Sequence, residues 1–204
     1  MATRDGWNPD LPPDEPLLER VSRALRERTR RRIPLGDYQP AAVAVPLVST
    51  DQGLAVLFTV RTAHVEQHKG EISFPGGRIE DGDADTLSAA LRETWEEVGI
   101  RPEDLRVLGT LDDFVSVTGY RVTPHVVHLA RPDYPFVAQP REVAEILLVP
   151  VAHLLDPTHY DAVKPEHGPY HIHYFTWGPY VVWGLTAAIL KRLLDLVFHF
   201  SRSP

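Results

Sequence analysis

One stretch of the chain carries its own punctuation and limits what can be built around it. It opens Gly76-Gly77-Arg78-Ile79-Glu80-Asp81-Gly82-Asp83, passes through the largely small and apolar residues 84–91, and ends Arg92-Glu93-Thr94-Trp95-Glu96-Glu97-Val98-Gly99-Ile100. Paired glycines permit close backbone approaches that other residues resist, and Gly99 stands where a helix needs a stop. The spacing predicts a loop, a helix over residues 86–98, and a second loop. At about 100° per residue, Leu87, Leu91, Thr94 and Val98 fall within about 60° of one another, the face expected to meet the core. Measured from Leu87, Glu93, Glu96 and Glu97 lie near roughly 240°, 180° and 280°, so three carboxylates at i, i+3 and i+4 are expected to share the opposite surface and converge.

Like charges four apart oppose helix formation, and only Arg92 is an obvious local counter-charge. A hard divalent cation such as Mg²⁺ answers that need, because it prefers carboxylate and carbonyl oxygens and binds through substrate phosphates as well. Glutamates alone read more often as a solvated helix face. The flanking glycines and the sequence upstream favour a site.

Around this segment, residues 41–48 and 54–60 are short β-prone runs joined by Ser49-Thr50-Asp51-Gln52-Gly53, the pattern of a hairpin. Residues 106–111, 123–130 and 145–149 predict further strands. Residues 17–28 and 181–198 predict helices, with a short one near 151–155. Strands and helices mix along the chain and hairpin links argue against an all-parallel sheet, so the class is α/β (α+β), a mixed sheet with helices packed on it. No internal repeat is present, and 204 residues with 43% hydrophobic content read as a single domain over residues 1–204.

Charge and cysteine usage remove several functions. The chain has 28 acidic residues against 21 Lys and Arg, a formal charge of −7 that argues against general nucleic-acid binding. With no cysteine there is no disulfide framework or thiolate nucleophile, and any metal must be held by oxygen or imidazole. Residues 1–16 lack the apolar run of a secretory signal, and Lys191, Arg192 and Asp195 interrupt the apolar stretch 181–198 before the roughly 20 residues of a membrane span. No membrane association and a cytoplasmic location are expected. Basic residues Arg26, Arg28, Arg30, Arg31 and Arg32 read as a solvated run at a helix end. His64, His125, His128, His171 and His173 read as surface or packing histidines.

The segment from Gly77 to Ile100 resembles the Nudix box, whose pattern is Gly, five residues, Glu, seven residues, then Arg-Glu-apolar-any-Glu-Glu-any-Gly-apolar. Arg92, Glu93, Glu96, Glu97, Gly99 and Ile100 match in register. Asp83 stands in place of the family Glu, eight residues separate it from Arg92, and Thr94 fills an apolar position. Upstream, Leu57-Phe58-Thr59-Val60-Arg61-Thr62-Ala63-His64-Val65-Glu66-Gln67-His68-Lys69-Gly70-Glu71-Ile72-Ser73-Phe74-Pro75-Gly76-Gly77 is similar to the motif of the coenzyme A pyrophosphatase branch, with every spacing kept and Phe58, Thr62 and Glu66 departing from it. Trp183-Gly184 and Thr186 fit the same branch.

The resemblance implies an α/β/α sandwich with a loop-helix-loop active site. It implies hydrolysis of the pyrophosphate of coenzyme A or its derivatives to 4′-phosphopantetheine and adenosine 3′,5′-bisphosphate, with Mg²⁺ or Mn²⁺. Carried over by position, Glu93, Glu96, Glu97 and the Gly76 carbonyl would hold metal, Glu93 being either ligand or base, and Arg92 would orient a neighbouring glutamate. Arg61, His68 and Gly77 would meet substrate or brace the loop. A later carboxylate often completes such sites; Glu142 is the candidate and Glu145 its competitor. The partner is then a small molecule, with a monomer or homodimer both open. The alternatives are a Nudix enzyme for another nucleoside diphosphate derivative such as ADP-ribose, or a non-catalytic nucleotide-binding module.

Overall fold

The structure is a computed structural model and describes residues 14–62, 70–166 and 170–200; His64, Glu66 and His68 lie outside them. Helix α1 (Glu15–Arg26) has a proline in its first turn and buries Leu18, Val21, Ser22 and Leu25 on one stripe. Strands β1 (Gln39–Thr50) and β2 (Gly53–Arg61) form the expected hairpin, antiparallel through Leu47↔Val56 to Thr50↔Gly53. Beyond that register the two strands part. The short strands β3 (Ile72–Ser73) and β4 (Gly76–Arg78) fill the gap, β3 on β2 through Thr59↔Ser73 and β4 on β1 through Val43↔Gly76. The Ala44 N–H donates to the Pro75 carbonyl at 2.9 Å, locking the paired glycines into the sheet.

Helix α2 (Thr86–Val98) follows, then β5 (Leu105–Thr110), β6 (Phe114–Val115), β7 (Tyr120–Leu129) and β8 (Val143–Pro150). Among the described residues these complete an eight-stranded mixed sheet: β1 pairs with β7 in parallel, β7 with β5 and β6 antiparallel, and β2 with β8 antiparallel. Helix α3 (Val151–Leu154) leads to a smaller antiparallel sheet of β9 (Tyr160–Val163), β10 (Ile172–Trp177) and β11 (Tyr180–Trp183), and α4 (Gly184–Phe198) closes the chain. This is a mixed α+β fold. Alternation along the central strands sends side chains to two cores. Val45, Leu47, Val56 and Phe58 pack with α1 and α4, while Ala42, Ala44, Val48 and Leu57 face the α2 side.

Two expectations need correction. The C-terminal helix begins at Gly184, because Val181-Val182-Trp183 pairs with β10 and Gly184 turns the chain at φ 64. A continuous apolar run hid that boundary. The basic run after α1 is only partly solvated: Arg28 and Arg30 pair with the buried Asp112 and Asp113, and Arg192 on α4 reaches Asp112 at 2.8 Å. No helix among the described residues is long and apolar enough to cross a membrane.

Candidate active site

The site is built on α2, whose ends are fixed locally. Asp85 and Ser88 form a reciprocal cap, Ser88 N–H to Asp85 Oδ1 and Asp85 N–H to Ser88 Oγ, each 2.8 Å. Gly99 ends the helix at φ 74, where an added Cβ would lie 3.1 Å from Val137 Cβ. The helix is rotated from the expected orientation. Its buried residues are Ala89, Ala90, Thr94, Glu97 and Val98, while Leu87 and Leu91 are only half-buried. Ala89 and Ala90 pack on Ala42 and Ala44, and small side chains on both surfaces let helix and sheet approach closely there. The rotation carries Glu97 inward to 4% exposure, whereas Glu96 remains open to solvent.

Arg92 organises the outer carboxylates. Its Nε and one terminal nitrogen donate to the two oxygens of Asp83 at 3.1 and 3.0 Å, and that same nitrogen reaches the Arg78 carbonyl at 3.1 Å. The other terminal nitrogen donates to Glu93 Oε1 at 2.9 Å and Glu96 Oε2 at 3.1 Å. Asp83, whose only sequence signal was a mismatch to the family Glu, thus anchors the guanidinium. That hydrogen bonding holds the Asp83 carboxyl below its ordinary range and raises Arg92. Gly77 lies beneath Glu93, and any Cβ there would stand 2.2 Å from Glu93 Oε1. At Gly76 a Cβ would meet the Ala42 carbonyl oxygen at 2.4 Å, so Gly76 is required by space, whereas a side chain at Gly77 would displace the Glu93 carboxylate.

Glu97 faces a different environment. Burial, then the Glu93 charge, pushes its carboxyl up to about 8; Arg61 opposes this, Glu142 adds to it, and the Gly76 N–H pulls the other way. Burial likewise raises Glu93, against the pull of Arg92, with Glu96 and Glu142 raising it further. Glu142 arrives through the 137–142 loop: the N–H groups of Val137 and Gln139 donate to the Val98 and Glu97 carbonyls at 3.1 and 2.9 Å, and Thr62 N–H donates to the Glu142 carbonyl at 2.9 Å. Its competitor Glu145 is tied elsewhere, accepting from the Tyr180 hydroxyl at 2.5 Å.

The donors fit a hard divalent cation by type: they are oxygens, and the cluster carries carboxylates that burial and mutual repulsion leave short of positive charge. They do not converge as the helical spacing implied. Among the described residues no three Asp, Glu or His side chains stand close enough to form a ready metal cage, because Arg92 bridges Glu93 and Glu96 and Glu97 is turned inward. Three of the described histidines hold packing roles. His125 bonds Thr86 and Thr110 at 2.9 and 3.2 Å, His128 bonds Ser49 at 3.0 Å, and His173 bonds the Tyr160 hydroxyl at 2.9 Å.

Residues 37–170 match the family model described as NUDIX domain. An Escherichia coli protein named Uncharacterized Nudix hydrolase NudL is 40% identical over 159 residues, covering 77% of this chain and 82% of its own length. A Shigella flexneri protein of the same name is 40% identical over 171 residues, covering 83% and 87%. The crystal structure of a MutT/nudix family protein from Enterococcus faecalis matches in fold at a TM-score of 0.50 and 16% identity, covering 89% of this chain and 74% of that one.

Proposed function

The chain belongs to the Nudix family, and on that premise we propose that it hydrolyses the diphosphate bond of coenzyme A or a derivative, releasing 4′-phosphopantetheine and adenosine 3′,5′-bisphosphate. Hydrolysis of a nucleotide-type small molecule rests on the family itself. The choice of coenzyme A rests on one observation, the segment 57–77, whose spacing is similar throughout to the branch motif. That segment ends in β4, which packs against the carboxylate helix and sets Gly77 beneath Glu93.

In this reading Glu93, Glu96, Glu97 and the Gly76 carbonyl would hold Mg²⁺ or Mn²⁺, which supplies charge neutralisation at the diphosphate and acidifies water. The remaining tasks fall to side chains in place. Arg92, fixed by Asp83, keeps Glu93 and Glu96 at a set separation. Glu93 or Glu142 accepts the proton of the attacking water; their carboxylates lie close enough for Glu142 to shift Glu93. Arg61 offsets the Glu97 charge at the base of the site, and Gly77 leaves room for Glu93 that a side chain would fill. His68 belongs to the same motif as Arg61 and is assigned to substrate with it.

Incubation of the purified chain with coenzyme A and Mg²⁺ or Mn²⁺, followed by mass analysis, should give the two named products faster than ADP-ribose is cleaved. Preferential cleavage of ADP-ribose would transfer the assignment to the alternative substrate, and inertness toward both would favour a binding module. Glu96→Gln removes charge with little change in volume. It should lower turnover by about 10²-fold or more while the circular dichroism spectrum is kept.

A further inference from the structure

Past Glu96, an open groove of about 700 Å³ runs between the C-terminal end of α2 and the 131–140 loop. Pockets that hold small molecules occupy about 300–1,000 Å³. The groove is lined by Trp95, Glu96, Arg101, Arg131, Tyr134 and Val137, among others. Tyr134 is a fixed floor: its ring is buried, its hydroxyl donates to Asp104 Oδ2 at 2.8 Å, and it accepts from the Arg101 N–H at 3.1 Å. The Arg131 guanidinium stands 5.1 Å from the centre of that ring, which orients it without neutralising it. Trp95 leaves 57% of its surface in water on the opposite wall.

The lining holds two carboxylates and two guanidiniums, which are differently engaged. Asp104 is engaged by the Tyr134 hydroxyl and Glu96 by Arg92. Among the described residues neither Arg101 nor Arg131 has an acidic partner for its side chain. Two cations and an exposed indole, continuous with the carboxylate cluster through Glu96, suit a ligand with an aromatic base and a phosphate separate from the reacting diphosphate. We propose that this groove receives the nucleoside end of the substrate, with the base against Trp95 and the phosphate monoester between Arg101 and Arg131. The proposal rests on the coenzyme A reading above, since that substrate carries a 3′-phosphate and ADP-ribose does not.

Calorimetric binding of adenosine 3′,5′-bisphosphate and of AMP to the full chain tests it without turnover. Wild type should bind the bisphosphate about tenfold or more tightly than AMP, the increment of charge-assisted hydrogen bonds to one phosphate. Arg101→Gln with Arg131→Gln should abolish that preference, and Trp95→Leu should weaken both nucleotides alike by about fivefold or more through lost stacking. Equal affinity for the two nucleotides in wild type, or a preference surviving in the double variant, overturns the proposal. Both arginines are exposed, so the double variant is expected to fold. Coenzyme A left intact, with the preference present in wild type and lost in the variant, overturns the substrate reading and upholds the groove.

Discussion

Arg92 divides its donors among Asp83, the Arg78 carbonyl, Glu93 and Glu96, a division only a planar, forked cation can make. A lysine would keep the charge and lose the fork. Arg92→Lys should therefore lower kcat by about 10- to 100-fold with little change in KM, the pattern of a lost positioning contact, and a kcat within twofold of wild type would refute the role. Glu97 allows a test of the opposite sign. Its carboxyl has an ordinary value of 4.5 and stands at about 8 in the folded chain, so the native state holds a proton that the unfolded chain has released. Stability of the metal-free protein accordingly falls as pH rises from 4.5 to 8, a burden already large at pH 7. Glu97→Gln should remove that burden and stabilise the chelated protein by about 1–3 kcal/mol in urea unfolding at pH 7, while abolishing metal-dependent hydrolysis. A destabilised variant would show that the carboxylate is compensated in a way the geometry does not reveal.

At the level of single elements, what could be read from the chain was local and what could not was relational. The ends of α2 match the expected residues 86–98 because an N-terminal cap and a left-handed glycine act within a few residues. Its rotation escaped because Leu87 and Leu91 outweigh Ala89 and Ala90 in any hydrophobicity argument, whereas close packing selected the alanines. For the same reason the three glutamates could be found but their separation into an Arg92-bound pair and an inward Glu97 could not. Strands β3 and β4 are two and three residues long and exist only because the hairpin splays, a long-range fact with no periodic signature. Asp83 was visible only as a departure from a pattern. The same helix carries a pH-dependent anchor at its start, where Thr86 bonds His125. Burial, then the Arg30 charge, lowers that imidazole to about 4 from 6.5. Between those values the unfolded chain binds the proton and the native state does not, so stability drops as pH falls from 6.5 to 4. The loss attributable to His125 should approach about 3 kcal/mol at the acid end. His125→Asn should flatten the pH dependence of the urea midpoint in that window; an unchanged slope would assign the acid sensitivity elsewhere.

Across the whole molecule, the segment after α1 is fastened to both the large sheet and α4 by two aspartates. Asp112 accepts from Arg192 at 2.8 Å and from the Arg31 N–H at 2.8 Å, and pairs with Arg28. Asp113 accepts from the Ile33 N–H at 3.0 Å and from Thr123 at 2.8 Å, and pairs with Arg30. Burial alone would raise both carboxyls, yet these donors hold them below the usual carboxylate range. Asp112 reaches α4 through Arg192, whereas Arg30 and Asp113 meet Thr123 on the face of β7 that also carries His125 toward α2. The Asp112 half should therefore govern stability and leave chemistry alone. Removing one partner of a buried pair leaves the other charge uncompensated, so Asp112→Ala should cost about 3–5 kcal/mol and open residues 27–36 to limited proteolysis. Arg28→Ala should cost less, because Arg192 still answers Asp112. In wild type the contribution is present above the ordinary carboxylate value of 3.8 and is lost as pH falls through the depressed native value. Hydrolysis per folded molecule should match wild type in both variants. A specific loss of kcat at full folding would mean that the α1 segment is coupled to the carboxylate helix through the β7 face that carries Thr123 and His125.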